Sequence, residues 1–211
     1  MKKERPTFTD LMRVRFKGVL DPIGKFFNRL GLAPNTMTIL GLVGNAVGAY
    51  FLSQGQLALG GFLILLMGPV DALDGTMARL RGEASDFGAF VDSVTDRYSE
   101  LVIFLGLLLF YTREDNWWAA GLTYLAAAGS VLVSYVRARG HSLGYDTKVG
   151  LLTRLERYMV LAPALLLSGV EIVDLPLIGI GIIAFFANLT ALQRILDVRR
   201  QAYVKKNSHK Q

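Results

Sequence analysis

Residues 71–96 read DALDGTMARLRGEASDFGAFVDSVTD, and the rest of the chain is arranged around this stretch. It places four aspartates, Asp71, Asp74, Asp92 and Asp96, inside a strongly apolar chain. Ionisable side chains at membrane depth are costly, need partners and commonly mark a functional site. The pattern therefore predicts a site that binds cations.

The spacing of the aspartates predicts two helical faces. Asp71 and Asp74 are three residues apart and Asp92 and Asp96 four apart, so on helices each pair shares a face. Between the pairs, Ser85 is a good N-cap after a short turn, which would make the two helices antiparallel. The opposed pairs would form a cup of four carboxylates, and these hard oxygen ligands suit Mg²⁺ or Mn²⁺.

Other residues of the stretch are typical of a phosphate-binding surface. Gly75, Ala78 and Gly88 have little side-chain bulk, which would let a ligand approach the backbone closely. Arg79 adds a rigid fork of donors that fits phosphate oxygens. The alternative is that the carboxylates only pair with nearby arginines in a helical bundle. Glu100, one turn beyond Asp96, is predicted to be such a structural partner of an arginine.

The pattern D-x-x-D-G-x-x-A-R-x(8)-G-x-x-x-D-x-x-x-D in residues 71–96 resembles the signature of the CDP-alcohol phosphatidyltransferases, integral membrane enzymes of phospholipid synthesis. The resemblance implies transfer of a phosphatidyl group from CDP-diacylglycerol, with release of CMP, and it implies a homodimer. The two residues that it assigns to the nucleotide are Asn35 and Thr38, for which capping of the first span is the structural alternative. The further residues predicted to bind the CDP-lipid are Gly75, Ala78, Arg79, Ser85 and Gly88.

Cleavage of a CDP-lipid requires charge neutralisation at the attacking and leaving oxygens of the pyrophosphate. Two divalent ions held by shared carboxylates provide it, so Mg²⁺ or Mn²⁺ is the predicted cofactor. Asp71, Asp74 and Asp92 are the predicted ligands. Asp96 is predicted to be a fourth ligand and, because the resemblance gives it that role, the general base that takes the acceptor hydroxyl proton.

Composition indicates a polytopic membrane protein. The 211 residues are 52% hydrophobic and contain several apolar runs near the twenty residues that cross a bilayer. Residues 7–30 mix apolar and basic side chains, which is typical of an amphipathic helix on an anionic membrane surface, with an ordinary solvated helix as the alternative. The predicted fold is all-α and integral to the membrane, with six transmembrane helices preceded by an N-terminal amphipathic interfacial helix.

The predicted organisation is a juxtamembrane segment at 1–30, a six-helix phosphatidyltransferase domain at 31–200 and a basic, frayed C-terminal tail at 201–211. The spans are predicted at about 32–52, 57–80, 85–110, 119–136, 152–167 and 175–196. Of the lysines and arginines only Arg113 falls in a far-side loop, so the positive-inside rule places both termini and the aspartates on the cytoplasmic side of the cell membrane. This distribution explains the net charge of +6 without nucleic acid. Zero cysteines exclude disulfides and thiolate metal sites.

Basic residues predicted near the cytoplasmic side favour a phosphorylated acceptor over a neutral amino alcohol. They are Arg137, Arg139, Lys148, Arg154, Arg157 and Arg194. Arg194 lies inside the predicted sixth span, where a charge needs a reason.

Three segments, SYVRAR at 134–139, TRLER at 153–157 and QR at 193–194, resemble the acceptor pocket of the phosphatidylinositol-phosphate synthases of bacteria and their archaeal relatives. The resemblance implies that the arginines in them bind the phosphate of inositol 1-phosphate. Leu155 stands where that group has proline, so glycerol 3-phosphate is the alternative acceptor. A divalent-cation transporter with an acidic transport site is an alternative of another class.

Overall fold

The chain folds into seven α-helices within the residues that the structure describes. The computed structural model describes residues 8–83, 85–147, 149–169 and 173–208, so Lys148 lies outside it. The helices are α1 Phe8–Arg29, α2 Pro34–Ser53, α3 Leu57–Arg81, α4 Asp86–Arg113, α5 Trp117–Ser142, α6 Arg154–Leu166 and α7 Leu175–Ser208. These ranges contain no strand, as the all-α prediction requires.

Four helices are long and apolar enough to cross a membrane. They are Pro34–Ser53, Leu57–Arg81, Trp117–Ser142 and Leu175–Asn207, which correspond to the predicted first, second, fourth and sixth spans. Helix α4 does not qualify because its first half carries both aspartates of the second pair and further charges. Helix α6 has 13 residues, so it is only about 20 Å long against a hydrocarbon core of about 30 Å.

The C-terminal half of α7 differs from the prediction. The sixth span was expected to end near residue 196 and to give way to a frayed tail, but the helix continues to Ser208. Its last turns contact the loop between α5 and α6. Gln201 Nε2 donates a 2.8 Å hydrogen bond to the Asp146 carbonyl, and Lys205 Nζ lies 5.5 Å from the centre of the Tyr145 ring. These contacts join the basic segment to the loop.

The core is formed by the apolar faces of α2 to α7. Helix α3 packs against α1, α2 and α6, helix α5 packs against α4 and α7, and α2 also contacts α4. The largest fully buried apolar side chains are Leu52, Ile64, Met77, Ile103, Leu107, Leu165, Ile180 and Ile183. Gly106 of α4 lies directly against the backbone of Ala49 in α2, so a larger residue there would force these helices apart.

Hydrogen bonds between helix ends define the two ends of the bundle. At one end, Arg113 Nη1 donates to the Ser53 carbonyl over 2.8 Å. At the other end, Arg81 Nη2 donates to the Leu32 carbonyl at 2.6 Å and Arg81 Nε donates to Asn28 Oδ1 at 2.7 Å. The end of α1 and the start of α2 are therefore fixed to the end of α3, near the first pair of aspartates.

Candidate active site

The four aspartates lie in one cluster near the end of the bundle at which Arg81 binds Leu32 and Asn28. Asp71 and Asp74 stand on the last turns of α3, and Asp92 and Asp96 stand on the first turns of α4. Asp92 is close enough to interact electrostatically with each of the other three. The structure therefore brings together the two pairs that the sequence spacing placed on facing helices.

The turn between the pairs has the predicted cap and an open surface. Ser85 Oγ accepts a 3.1 Å hydrogen bond from the Gly88 backbone N–H and so caps α4. A Cβ added at Gly88 would meet only Ser85 Oγ, at 3.2 Å, and one added at Gly75 would meet only Arg79 Nη1, at 3.8 Å. Ala78 is half-buried on the same helix. The small residues thus leave space above the helix backbone, as predicted.

Thr38 holds one of the carboxylates. Its Oγ1 donates a 2.7 Å hydrogen bond to Asp74 Oδ2, and the side chains of both residues are buried. The other carboxylate oxygen of Asp74 accepts a hydrogen bond from the Gly75 backbone N–H. Asn35, on the first turn of the same helix as Thr38, is exposed. Of the two residues assigned to the nucleotide, Thr38 therefore fixes an aspartate and Asn35 faces outward.

Arg154, on the first turn of α6, lies between the two pairs. Its Nη2 is 2.8 Å from Asp71 Oδ2, and its Nη1 is paired with Asp96 Oδ1. The guanidinium lies over the Tyr158 ring, 5.2 Å from the ring centre. Its Nε is buried and has no hydrogen-bond partner among the described residues. One guanidinium therefore joins α3, α4 and α6 at the centre of the cluster.

The carboxylates fit a divalent ion by their chemistry, since the donor set consists of hard oxygen ligands. Within the described part of the chain, however, no three acidic or histidine side chains are arranged to hold a metal ion. In this arrangement Arg154 engages one oxygen of Asp71 and one of Asp96, and the other oxygen of each carboxylate is not paired with it.

Of the predicted acceptor residues, Arg137 and Arg139 are exposed near the end of α5. Arg194 is buried and already bonded: its Nη1 donates to the Val133 carbonyl at 2.7 Å and its Nε donates to the Val149 carbonyl at 3.0 Å. The buried charge inside α7 therefore has a structural role, because Arg194 joins α5 to the loop between α5 and α6.

Arg157 is also buried, and it is paired with Glu100 of α4. Arg157 Nε lies 2.6 Å from Glu100 Oε1, and Nη2 lies 3.0 Å from Oε2. This confirms the prediction that Glu100 is the structural partner of an arginine. It also shows that the guanidinium of Arg157 is already engaged by protein atoms.

Gly41 of α2 is a site residue that the sequence reasoning missed. A Cβ at this position would collide with Asp71 Oδ1, so the carboxylate fits against α2 only because residue 41 is glycine. The sequence offered one signal, namely a glycine on the helix that precedes the motif, but nothing in it showed that this glycine faces Asp71.

Comparison with known proteins identifies the class of enzyme. The profile of the CDP-alcohol phosphatidyltransferase family matches residues 31–193. The chain belongs to this family and is a transferase of substituted phosphate groups that acts in phospholipid biosynthesis. The transporter alternative is thereby replaced by an enzyme.

Individual relatives cover nearly all of the chain. The phosphatidylinositol phosphate synthase of Streptomyces avermitilis is 36% identical over 90% of this chain and 82% of its own length. The archaetidylinositol phosphate synthase of Pyrococcus horikoshii is 34% identical over 90% of this chain and 96% of its own length.

The fold is also that of a solved enzyme. The crystal structure of Mycobacterium tuberculosis phosphatidylinositol phosphate synthase with CDP-DAG bound matches with a TM-score of 0.80 and 29% identity, over 85% of this chain and 93% of that one. The same enzyme in complex with manganese and citrate matches with a TM-score of 0.77 and 29% identity, over 85% of this chain and 88% of that one.

Proposed function

We propose that this enzyme transfers a phosphatidyl group from CDP-diacylglycerol to a hydroxyl of inositol 1-phosphate and releases CMP. The observation that carries the proposal is the position of Arg154, a fork of donors suited to phosphate, directly beside the candidate base Asp96. The similarity to phosphatidylinositol phosphate synthases and to the structure with CDP-DAG bound supports the same donor and acceptor.

Asp71, Asp74, Asp92 and Asp96 are the proposed ligands of Mg²⁺ or Mn²⁺, with two ions as the proposed number. The complex of the Mycobacterium tuberculosis enzyme with manganese supports this choice. When bound, such ions supply charge neutralisation at the pyrophosphate and at the leaving oxygen of CMP. Thr38 supports the ligand role of Asp74 because it fixes the orientation of that carboxylate.

The remaining steps use the protein's own side chains. The acceptor hydroxyl oxygen forms a bond to the phosphorus that carries diacylglycerol, while the bond from that phosphorus to the CMP oxygen breaks. The hydroxyl proton passes to Asp96, the proposed general base. The open surface over Gly75, Ala78 and Gly88, with Arg79 and Ser85 at its edge, receives the CDP-lipid head, and Asn35 and Thr38 border it.

The acceptor phosphate is proposed to bind Arg154, with the exposed Arg137 and Arg139 alongside. Arg194 and Arg157 were predicted to bind it too, but both are buried as well as bonded to protein atoms, whereas the side chain of Arg154 is 28% exposed. We assign Arg194 to the support of the loop between α5 and α6.

Six membrane helices are proposed, namely the four candidate spans with α4 and the short α6 packed beside them, and both termini and the site are proposed to lie on the cytoplasmic side of the cell membrane. Helix α1 is proposed to lie at the interface. Its exposed apolar residues Val19, Ile23 and Phe26 follow helical spacing, and Lys17 and Lys25 are exposed as well. A homodimer is proposed from the family resemblance.

The test is CMP release by purified protein with CDP-diacylglycerol and Mn²⁺ or Mg²⁺, with inositol 1-phosphate, glycerol 3-phosphate, inositol or serine as acceptor. The proposal expects release with inositol 1-phosphate, its loss on chelation and its return with added metal. Glycerol 3-phosphate is the second candidate because Leu155 departs from the inositol-phosphate group, and release with it alone would replace the proposed acceptor. Release with neither phosphorylated acceptor would refute both.

A further inference from the structure

Two ion pairs follow each other along α4 and α6. Glu100 stands four residues after Asp96 on α4, and Arg157 stands three residues after Arg154 on α6. The pair Asp96–Arg154 belongs to the candidate active site and has side chains 18% and 28% exposed. The pair Glu100–Arg157 lies one turn deeper, with side chains 7% and 2% exposed. The same two helices are therefore bridged twice.

The deeper pair has a specific geometry. Arg157 donates to both oxygens of Glu100, over 2.6 and 3.0 Å. Two parallel bonds restrain both the distance between the two side chains and their relative orientation, and so restrain α4 against α6. A third nitrogen, Nη1, donates to the Leu152 carbonyl at 2.9 Å. Leu152 has a φ of 59°, a conformation that a leucine adopts only when its surroundings hold it.

The carbonyl that Arg157 holds lies directly before the start of α6. Thr153 is the N-cap, Arg154 is the first helical residue, and the Glu156 side chain accepts a hydrogen bond from the Thr153 backbone N–H. Arg157 therefore fixes both the position of α6 against α4 and the direction in which the chain enters the helix. Both determine where the guanidinium of Arg154 lies.

The surroundings of Arg157 leave no room for a substrate. The pair borders a small cavity of about 10 Å³, whose apolar lining residues include Ile64, Phe104 and Ile183. A space of this size holds one water molecule at most. A buried ion pair is weak evidence for stability, because apolar replacements of similar volume are often as stable, and it is better explained by a specific arrangement that it enforces.

We propose that Glu100 and Arg157 are positioning residues of the transferase, whose buried ion pair places Arg154 between Asp71 and Asp96. The consequence for the reaction rests on the proposed function, in which Arg154 binds the acceptor phosphate. The placement of Arg154 itself does not depend on which acceptor is used.

The variant that tests this is Glu100→Met/Arg157→Met, which removes both charges together and so leaves neither one buried alone. The first readout is Mn²⁺ affinity of the detergent-solubilised full chain, measured from the electron paramagnetic resonance signal of free Mn²⁺. Because a correctly placed Arg154 competes with Mn²⁺ for Asp71 and Asp96, Arg154→Gln should bind Mn²⁺ about fivefold more tightly. Glu100→Met/Arg157→Met should also bind Mn²⁺ more tightly than the wild type. The triple variant, which adds Arg154→Gln to these two changes, should bind Mn²⁺ no more tightly than Arg154→Gln alone.

The second readout is the KM for inositol 1-phosphate, which should rise roughly tenfold in the double variant while the KM for CDP-diacylglycerol stays the same. Leu165→Ala is the matched control, since it also weakens packing of α6 but lies beyond the pair. It should lower the melting temperature and leave Mn²⁺ affinity and both KM values unchanged.

This experiment distinguishes failure of the positioning role from failure of the proposed acceptor. Unchanged Mn²⁺ affinity in the double variant, or a gain that simply adds to that of Arg154→Gln, overturns the positioning role. A positive Mn²⁺ result with no turnover of inositol 1-phosphate by the wild type supports positioning and refutes the proposed acceptor. A change in Leu165→Ala equal to that of the double variant also overturns positioning, because loosened packing alone would then explain the effect.

Discussion

The Thr38 hydroxyl and the Asp74 carboxylate are joined by a buried hydrogen bond of 2.7 Å that fixes the start of α2 to the last turns of α3. The bond leaves Asp74 one preferred orientation, and partners of this kind tune how well a carboxylate binds a metal. In the proposed metal site, Thr38 would therefore orient a ligand without being one.

Thr38→Val should lower Mn²⁺ affinity roughly tenfold, because it keeps the shape of the side chain and removes only the donor. Thr38→Ser should retain the affinity of the wild type. Thr123→Val is the control, since Thr123 is buried in α5 and donates only to the Ala119 carbonyl. Mn²⁺ titration followed by electron paramagnetic resonance measures all three, and wild-type affinity in Thr38→Val would show that this bond does not orient a ligand.

Gly41→Ala should displace the Asp71 carboxylate, because the added methyl group would overlap Asp71 Oδ1. We expect CMP release to fall by on the order of tenfold or more, as for other small misplacements of catalytic groups. Gly121→Ala is the matched control, since a Cβ there has no neighbour within 4 Å among the described residues. Equal activity of the two variants would contradict the close contact between α2 and Asp71.

Asp96→Asn should retain CDP-diacylglycerol binding and lose turnover by roughly a hundred- to ten-thousandfold, the range that general base catalysis supplies. Binding is measured with immobilised or fluorescent CDP-lipid and turnover by CMP release. Asp86→Asn, at an exposed position on the first turn of the same helix, should behave as the wild type. Near-normal turnover in Asp96→Asn would remove Asp96 from the role of base.

Arg194→Lys should loosen the loop between α5 and α6, because one ammonium group cannot reproduce the two bonds of the guanidinium to the Val133 and Val149 carbonyls. Hydrogen–deuterium exchange of residues 149–151 should speed up, and the KM for the acceptor should rise with it. Arg200→Lys, at an exposed position on the same helix, should change neither. A raised acceptor KM with unchanged exchange would instead indicate direct contact between Arg194 and the acceptor.

Local patterns predicted much of the fold. The pairs at spacing three and four, the cap at Ser85 and the starts of α2 and α3 follow from short-range rules of helix geometry and capping, which act within one or two turns. The pairing of Glu100 with an arginine also followed, because a charge inside an apolar run must have a partner. Which arginine it would be did not follow, since Glu100 and Arg157 are 57 residues apart in the sequence.

The features that were not predicted depend on tertiary contacts. The end of α7 is helical and contacts the α5–α6 loop, and these contacts cannot be read from residues 197–208 alone. Arg154 and Arg157 are three residues apart and were predicted to do the same work, yet one faces the aspartates and the other is buried. Helix packing alone separates them, as it also determines that Gly41 meets Asp71.

The length of α7 bears on how far the α5–α6 loop lies from the hydrocarbon layer of the membrane. From Leu175 to Gln201 the helix rises about 39 Å, which exceeds the roughly 30 Å of the hydrocarbon layer at ordinary tilts. A span that begins at Leu175 would therefore place the loop that Gln201 holds through the Asp146 carbonyl among hydrated lipid head groups. A water-soluble acceptor can reach such a loop from the aqueous phase while the acyl chains of its lipid co-substrate stay dissolved in the membrane.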